Sequence, residues 1–170
     1  MVNSKSKKYT IEIEKMVEKD QDARKKYIDS GGVGVKLSDI DKRNENRLIE
    51  ILGKIGIQII PTKAVIIVLH SDSVKLMERY ISLMNKAHVL GIKISFQNYA
   101  SLYDRIQVLK GKKQKFGTQF IINKKSKKLS FATPIQNYTQ TKRLRKKFKM
   151  PTLKKYTSDL HKTYRKFINS

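Results

Sequence analysis

KFGTQFIIN (residues 115–123) and KKLSFATPI (residues 127–135) mark the place where the chain leaves helical spacing. Apolar and polar positions alternate there with period two. A polar KKSK beginning at Lys124 separates the two runs, which is the pattern of a β-hairpin. Pro134 closes the second strand, since proline cannot donate to a ladder.

Outward from the hairpin, the pattern is helical. Upstream, residues 97–110 carry Tyr99, Leu102, Ile106 and Leu109 and stop at Gly111. Residues 73–90 carry Val74, Met77, Ile81, Met84 and His88 and stop at Gly91, glycine being the usual residue past a helix end. Residues 37–55 place Leu37, Ile40, Leu48, Ile51, Leu52 and Ile55 on one face. Residues 9–29 do the same with Ile13, Met16, Val17, Tyr27 and Ile28, and SGGVG (30–34) breaks the chain after them. Downstream, TQTKRLRKKFKM (139–150) and residues 153–168 are helical. The latter have Leu153, Tyr156, Leu160, Tyr164 and Phe167 as their stripe. PTKAVIIVLHSD (61–72) stays open between a buried strand and a core helix, with Pro61 suited to a first helical turn. The expected fold is mainly α with one small β-hairpin (α+β), in a single compact helical domain. Residues 1–8 form a basic tail and residues 9–170 the domain: helical core 9–110, hairpin 111–134, basic helices 135–170.

Composition narrows the function classes. The chain has 170 residues, 39% of them hydrophobic, enough for a core. Its longest apolar block, AVIIVL (64–69), is far short of the ~20 residues of a membrane span. No apolar stretch follows the basic MVNSKSKKYT, so no secretory signal is expected. Without cysteine there is no disulfide, thiolate nucleophile or cysteine-bound metal. An intracellular, soluble protein is expected.

Charge is the strongest compositional signal. The formal net charge is +24. Up to Asp104 there are 18 basic and 13 acidic residues; beyond it there are 20 basic residues and one acid, Asp159. A soluble surface ordinarily mixes signs, so an acid-free tract from Arg105 to Ser158 predicts a face for a polyanion. The cations in question are Lys112, Lys113, Lys115, Lys124, Lys125, Lys127, Lys128, Lys142, Arg143, Arg145, Lys146, Lys147 and Lys149. Phe116, Phe120, Phe131, Tyr138 and Phe148 lie among them, and exposed rings stack on unpaired bases. No zinc finger, basic zipper or RNP pattern is present, so contacts would fall on phosphates and be weakly sequence-selective.

A second set of polar residues falls on faces that should be buried: Asp20 and Arg24, Asp41 and Asn44, His70 with Asp72, Asp104 with Arg105, and Gln114, Thr118 and Gln119. A buried charge costs several kcal/mol unless paired, so their number predicts convergence on one polar cavity. Each has a plainer reading: Asp20–Arg24 as a surface helix pair, Asp72 or Ser73 as a helix cap, Gly117 as a backbone device, the whole set as a structural network.

In order, DQDAR (20–24), DKRN (41–44), LHSD (69–72), YDR (103–105) and GKKQKFGTQ (111–119) resemble the signature DQxxR, DxxN, QHxD, DR, GxxQxYGTQ of a largely bacterial domain-of-unknown-function family, number sixty-six twenty-four. Leu69 and Phe116 stand where that pattern has Gln and Tyr. The resemblance spans most of the chain, including the proline-led tail PIQNYTQTKRLRKKFKMPTLKKY. It implies that these polar residues belong together and that residues 61–70 are helical.

The expected function is nucleic-acid binding, RNA or DNA, within a ribonucleoprotein or packaged-genome assembly, and with no membrane partner. The alternative is a hydrolase or transferase on a phosphate-bearing or nucleotide-like substrate. There His70, oriented by an Asp, would serve as acid or base, Arg24 and Arg105 as phosphate clamps, and the FGTQ backbone N–H groups, freed by Gly117, as an anion site, with the amides and Thr118 completing the polar set. No cofactor is assigned. No metal is assigned either, since the carboxylates are scattered and no HExxH-type spacing occurs. No P-loop or GxGxxG run is present.

Overall fold

The computed structural model describes residues 4–54, 63–123, 125–126 and 128–165. Its helices are α1 (Ser4–Asp29), α2 (Leu37–Lys54), α3 (Ala64–His70), α4 (Val74–Val89), α5 (Phe96–Leu109), α6 (Tyr138–Lys147) and α7 (Leu153–Thr163). A single antiparallel pair, β1 (Phe120–Ile122) and β2 (Leu129–Phe131), joins Phe120 to Phe131 and Ile122 to Leu129. The fold is therefore mainly α with one hairpin, as the spacing predicts. Among the described residues no helix is long and apolar enough to cross a membrane.

The AVIIVL run is helical. Ala64, Val65, Ile67 and Val68 are all buried, so α3 is enclosed on more than one face. That is why periodicity could not separate it from a strand. Pro61, expected in its first turn, lies outside the described residues. α1 begins at Ser4 rather than Tyr9, so helix extends into the expected basic tail.

Two compact units divide the chain: residues 1–27 with 34–95, and residues 28–33 with 96–170. The first contains α2, α3, α4 and most of α1, around Ile13, Val17, Leu48, Ile51, Val68, Met77 and Tyr80. Ser73, not Asp72, caps α4: its Oγ accepts from Leu76 N–H at 3.2 Å. The second contains α5, the hairpin, α6 and α7, with a core of Ala100, Phe116 and Met150 against Tyr103, Leu144 and Phe148.

The strands are shorter than the period-two run. Residues 114–119 form a loop instead, pinned by a parallel bridge between Gln114 and Ile135. Gly117 turns this loop at φ 67°, and an added Cβ would meet Ile135 Cδ1 at 2.8 Å and Leu153 Cδ2 at 2.9 Å. At the hairpin tip the Asn123 side chain accepts from the N–H groups of Lys125 and Ser126, both at 2.9 Å.

Candidate active site

The polar residues singled out in the sequence assemble into two hydrogen-bonded groups, one within each unit. In the first unit, four side chains from three helices meet. The i,i+4 spacing on α1 stacks Asp20 and Arg24 on one face, α2 supplies Asp41, and α3 ends on His70. Arg24 Nε donates to His70 Nδ1 at 2.8 Å and lies 3.3 Å from both Asp20 oxygens. Arg24 Nη2 makes a short contact with Asp41 Oδ1. His70 Nδ1 also stands 2.9 Å from Asp20 Oδ2. Asp20 is 1% exposed, whereas the side chains of Arg24, Asp41 and His70 retain 21%, 22% and 24% of their surface. The group is thus anchored inside and open at one side.

Electrostatics separate the two carboxyls. Burial pushes Asp20 up, but the hydrogen bond and charge of His70, together with Arg24, outweigh it and hold the group below its ordinary value. Burial pushes Asp41 up and wins against the attraction of Arg24 and His70, with Asp20 and Asp72 adding to the rise. Asp20 is the fixed anion, and Asp41 the carboxyl better able to keep a proton.

Residues outside the expected set hold this group in place. Gln21 Nε2 donates to Asp20 Oδ2 at 2.9 Å; it was legible in the quoted DQDAR. Ser71, buried just after His70, donates to Glu45 Oε2 at 2.6 Å and accepts from Ser73 N–H at 2.9 Å, tying the end of α3 to α2. Neither Glu45 nor Ser71 carried a signal in the sequence. Asp72 is exposed. Asn44, one turn after Asp41, has its Nδ2 shielded from solvent with no hydrogen-bond partner among the described residues.

Asp20, Asp41 and His70 bring one ligand atom each to within 4.8 Å of one another, a spacing that fits a metal ion. The sequence showed no such set, because its members are 20 to 30 residues apart on separate helices. The Arg24 guanidinium already binds all three, however, so the fixed cation of this group is organic. A divalent ion would have to displace it against like charge.

In the second unit Asp104 is fully buried. Its Oδ1 accepts from the N–H groups of Lys115 (2.8 Å) and Phe116 (3.1 Å), and its Oδ2 from the N–H and hydroxyl of Thr118, both at 3.0 Å. Burial pushes its carboxyl up against the pull of these donors. Gln114 is also fully buried. Its Nε2 donates to the carbonyls of Gln119 (2.9 Å) and Thr133 (2.8 Å), while its Oε1 accepts from Gln119 N–H at 2.8 Å. Gln119 Nε2 in turn donates to Ser101 O at 3.1 Å. These residues satisfy the backbone of the loop and so fix its path. Arg105 stands half-buried on α5.

Arg145 departs from the expected basic face. It is 2% exposed. Its Nε donates to Pro151 O at 2.7 Å, its Nη1 to Phe116 O at 2.8 Å, and its guanidinium lies 5.0 Å from the Tyr156 ring centroid. Two arms of the planar fork, Nε and Nη1, meet carbonyls that a single ammonium could not reach together, while Nη2 has no hydrogen-bond partner among the described residues. Lys115 is half-buried over the Tyr103 and Phe116 rings, at 5.6 and 5.8 Å. Lys112, Lys113, Lys125, Lys128, Lys142, Arg143, Lys146, Lys147 and Lys149 are exposed, and Lys124 and Lys127 lie outside the described residues.

No curated protein and no solved structure matches the chain. The sequence model of the family of unknown function DUF6624 matches residues 9–168, a stretch that holds both hydrogen-bonded groups. The chain belongs to that family.

Proposed function

We propose that the Asp20–Arg24–Asp41–His70 group is an acid–base site for hydrolysis or group transfer on a phosphate-bearing substrate. The observation that carries the reading is the meeting of these four side chains, from three helices, around a histidine that keeps access to solvent.

Nδ1 of His70 has two neighbours and can serve only one at a time. With its lone pair toward Arg24, the neutral ring carries its proton on Nε2 and can donate a hydrogen bond to a substrate oxygen. With Nδ1–H toward Asp20, Nε2 carries the lone pair and can act as a base. In the base form, Nε2 takes a proton from water as the water oxygen bonds to phosphorus. Asp41 delivers a proton to the departing oxygen as the old P–O bond breaks. Arg24 keeps positive charge beside the reaction, and the net charge of +24 favours anionic substrates.

The test compares wild type, His70→Ala and Asp20→Asn on p-nitrophenyl phosphate, bis-p-nitrophenyl phosphate and mononucleotides, with melting curves alongside. A loss of about 10²- to 10⁴-fold in His70→Ala, at unchanged melting temperature, is expected for a missing acid–base group. Equal turnover by wild type and His70→Ala, no turnover by wild type, or unfolding of both variants would each sink the reading.

A second reading is favoured by a separate observation. Lys112, Lys113, Lys125, Lys128, Lys142, Arg143, Lys146, Lys147 and Lys149 are exposed and make no salt bridge among the described residues, unlike Lys155, which pairs with Asp159, so they remain available to the phosphates of a nucleic acid.

A further inference from the structure

α1 and α2 enclose a groove of about 480 Å³ in the first unit, within the roughly 300–1,000 Å³ typical of small-molecule sites. Lys15 and Lys19 border it from α1 and Arg43 from α2. All three are exposed, and among the described residues none makes a salt bridge. Arg47, on the same wall, is different: Glu12 binds it at 2.6 Å and Glu50 at 2.5 Å, so its charge is already matched. The groove thus carries three uncompensated positive charges at a position where α1 and α2 are otherwise well supplied with carboxylates.

Its remaining lining is of another kind. Met16 and Ile40 present apolar surface, and Asn44 adds an amide whose Nδ2 has no partner among the described residues. A buried amide donor without an acceptor is costly, and rotating this one toward the groove would offer it to a ligand. Cations on the rim, an apolar floor and one amide together suit a ligand with an anionic end and an apolar body. Three flexible cations favour a group with several anionic oxygens over a single carboxylate.

We propose that this groove binds a small phosphate monoester bearing an apolar or aromatic body, of mononucleotide size. The groove shares α1 and α2 with the acid–base group, but its occupancy does not depend on that group being catalytic.

Equilibrium binding by calorimetry at low salt decides it, with adenosine 5′-monophosphate, adenosine and inorganic phosphate as probes. Wild type should bind the monophosphate at least about tenfold more tightly than either of the others. Lys19→Glu with Arg43→Glu should lose at least about tenfold, and the milder Lys15→Gln with Lys19→Gln should lose part of it. His70→Ala, and Lys142→Glu with Lys146→Glu in the other unit, should bind as wild type does. The proposal is overturned if adenosine binds as well as its monophosphate. Equal weakening by the Lys142/Lys146 pair overturns it too, since attraction would then be diffuse, as does failure of the monophosphate to bind. Retained binding in His70→Ala alongside lost turnover separates this site from the catalytic reading.

Discussion

Asp104 shows how one side chain can organise a loop. Its two oxygens accept from three backbone N–H groups and one hydroxyl within residues 115–118. Each of those donors is buried or nearly so, and a buried donor without an acceptor costs ~1–3 kcal/mol, more where the acceptor was ionised. Asp104→Asn keeps the shape but turns an NH2 toward N–H groups. It should lower stability by about 3 kcal/mol, read as a shifted urea midpoint. An unchanged midpoint would mean the network is not what holds the loop. Asp104 and Gln114 were legible as polar residues in apolar surroundings. Their role was not, because sequence spacing does not say whether a buried carboxylate meets backbone or substrate.

At the scale of elements, capping and apolar stripes explain most of what forms. Ser73, Asn137 and Thr152 each accept a backbone N–H three residues on, and α4, α6 and α7 begin there. α6 is less ordinary. Its stripe is short, with Thr141 and Arg145 as its buried residues, so hydrogen bonds replace much of the apolar packing. Thr141 Oγ1 donates to Lys115 O at 2.8 Å, and Arg145 reaches three carbonyls. Arg145→Lys should cost about 3 kcal/mol in chemical denaturation, since a point charge cannot reproduce the fork. The neighbouring Lys146→Ala should be within about 0.5 kcal/mol of wild type, as surface changes usually are. Reading KRLRKKFK as a uniform basic face missed this, because charge runs hide which member points inward.

For the molecule as a whole, charge and contact partition coincide. The acid-free tract lies within the unit formed by residues 28–33 and 96–170, while most of the mixed-sign half, apart from segments holding Asp29 and Asp104, belongs to the other unit. If the exposed cations meet nucleic acid, affinity should fall steeply with salt. The log–log slope should shrink by about one for each phosphate-contacting lysine removed. Lys142→Ala with Lys146→Ala should therefore reduce the slope by about two in a fluorescence titration against single-stranded RNA or DNA. A slope that ignores both changes would remove this surface from the interaction.

Period-two spacing at residues 115–135, helical stripes elsewhere and glycine stops determined the hairpin and the helices from local sequence alone. Local sequence sufficed because such patterns report which face of a short element is buried. The motif order DQDAR, DKRN, LHSD, YDR, GKKQKFGTQ likewise determined the family. Tertiary structure decided the rest. It made α3 a helix and turned Arg145 inward. It joined Asp20, Arg24, Asp41 and His70 while giving Asp104, Gln114, Thr118 and Gln119 to the backbone of a loop. Those outcomes depend on which faces of distant helices pack together, and that is settled by the burial of the whole chain rather than by any local window.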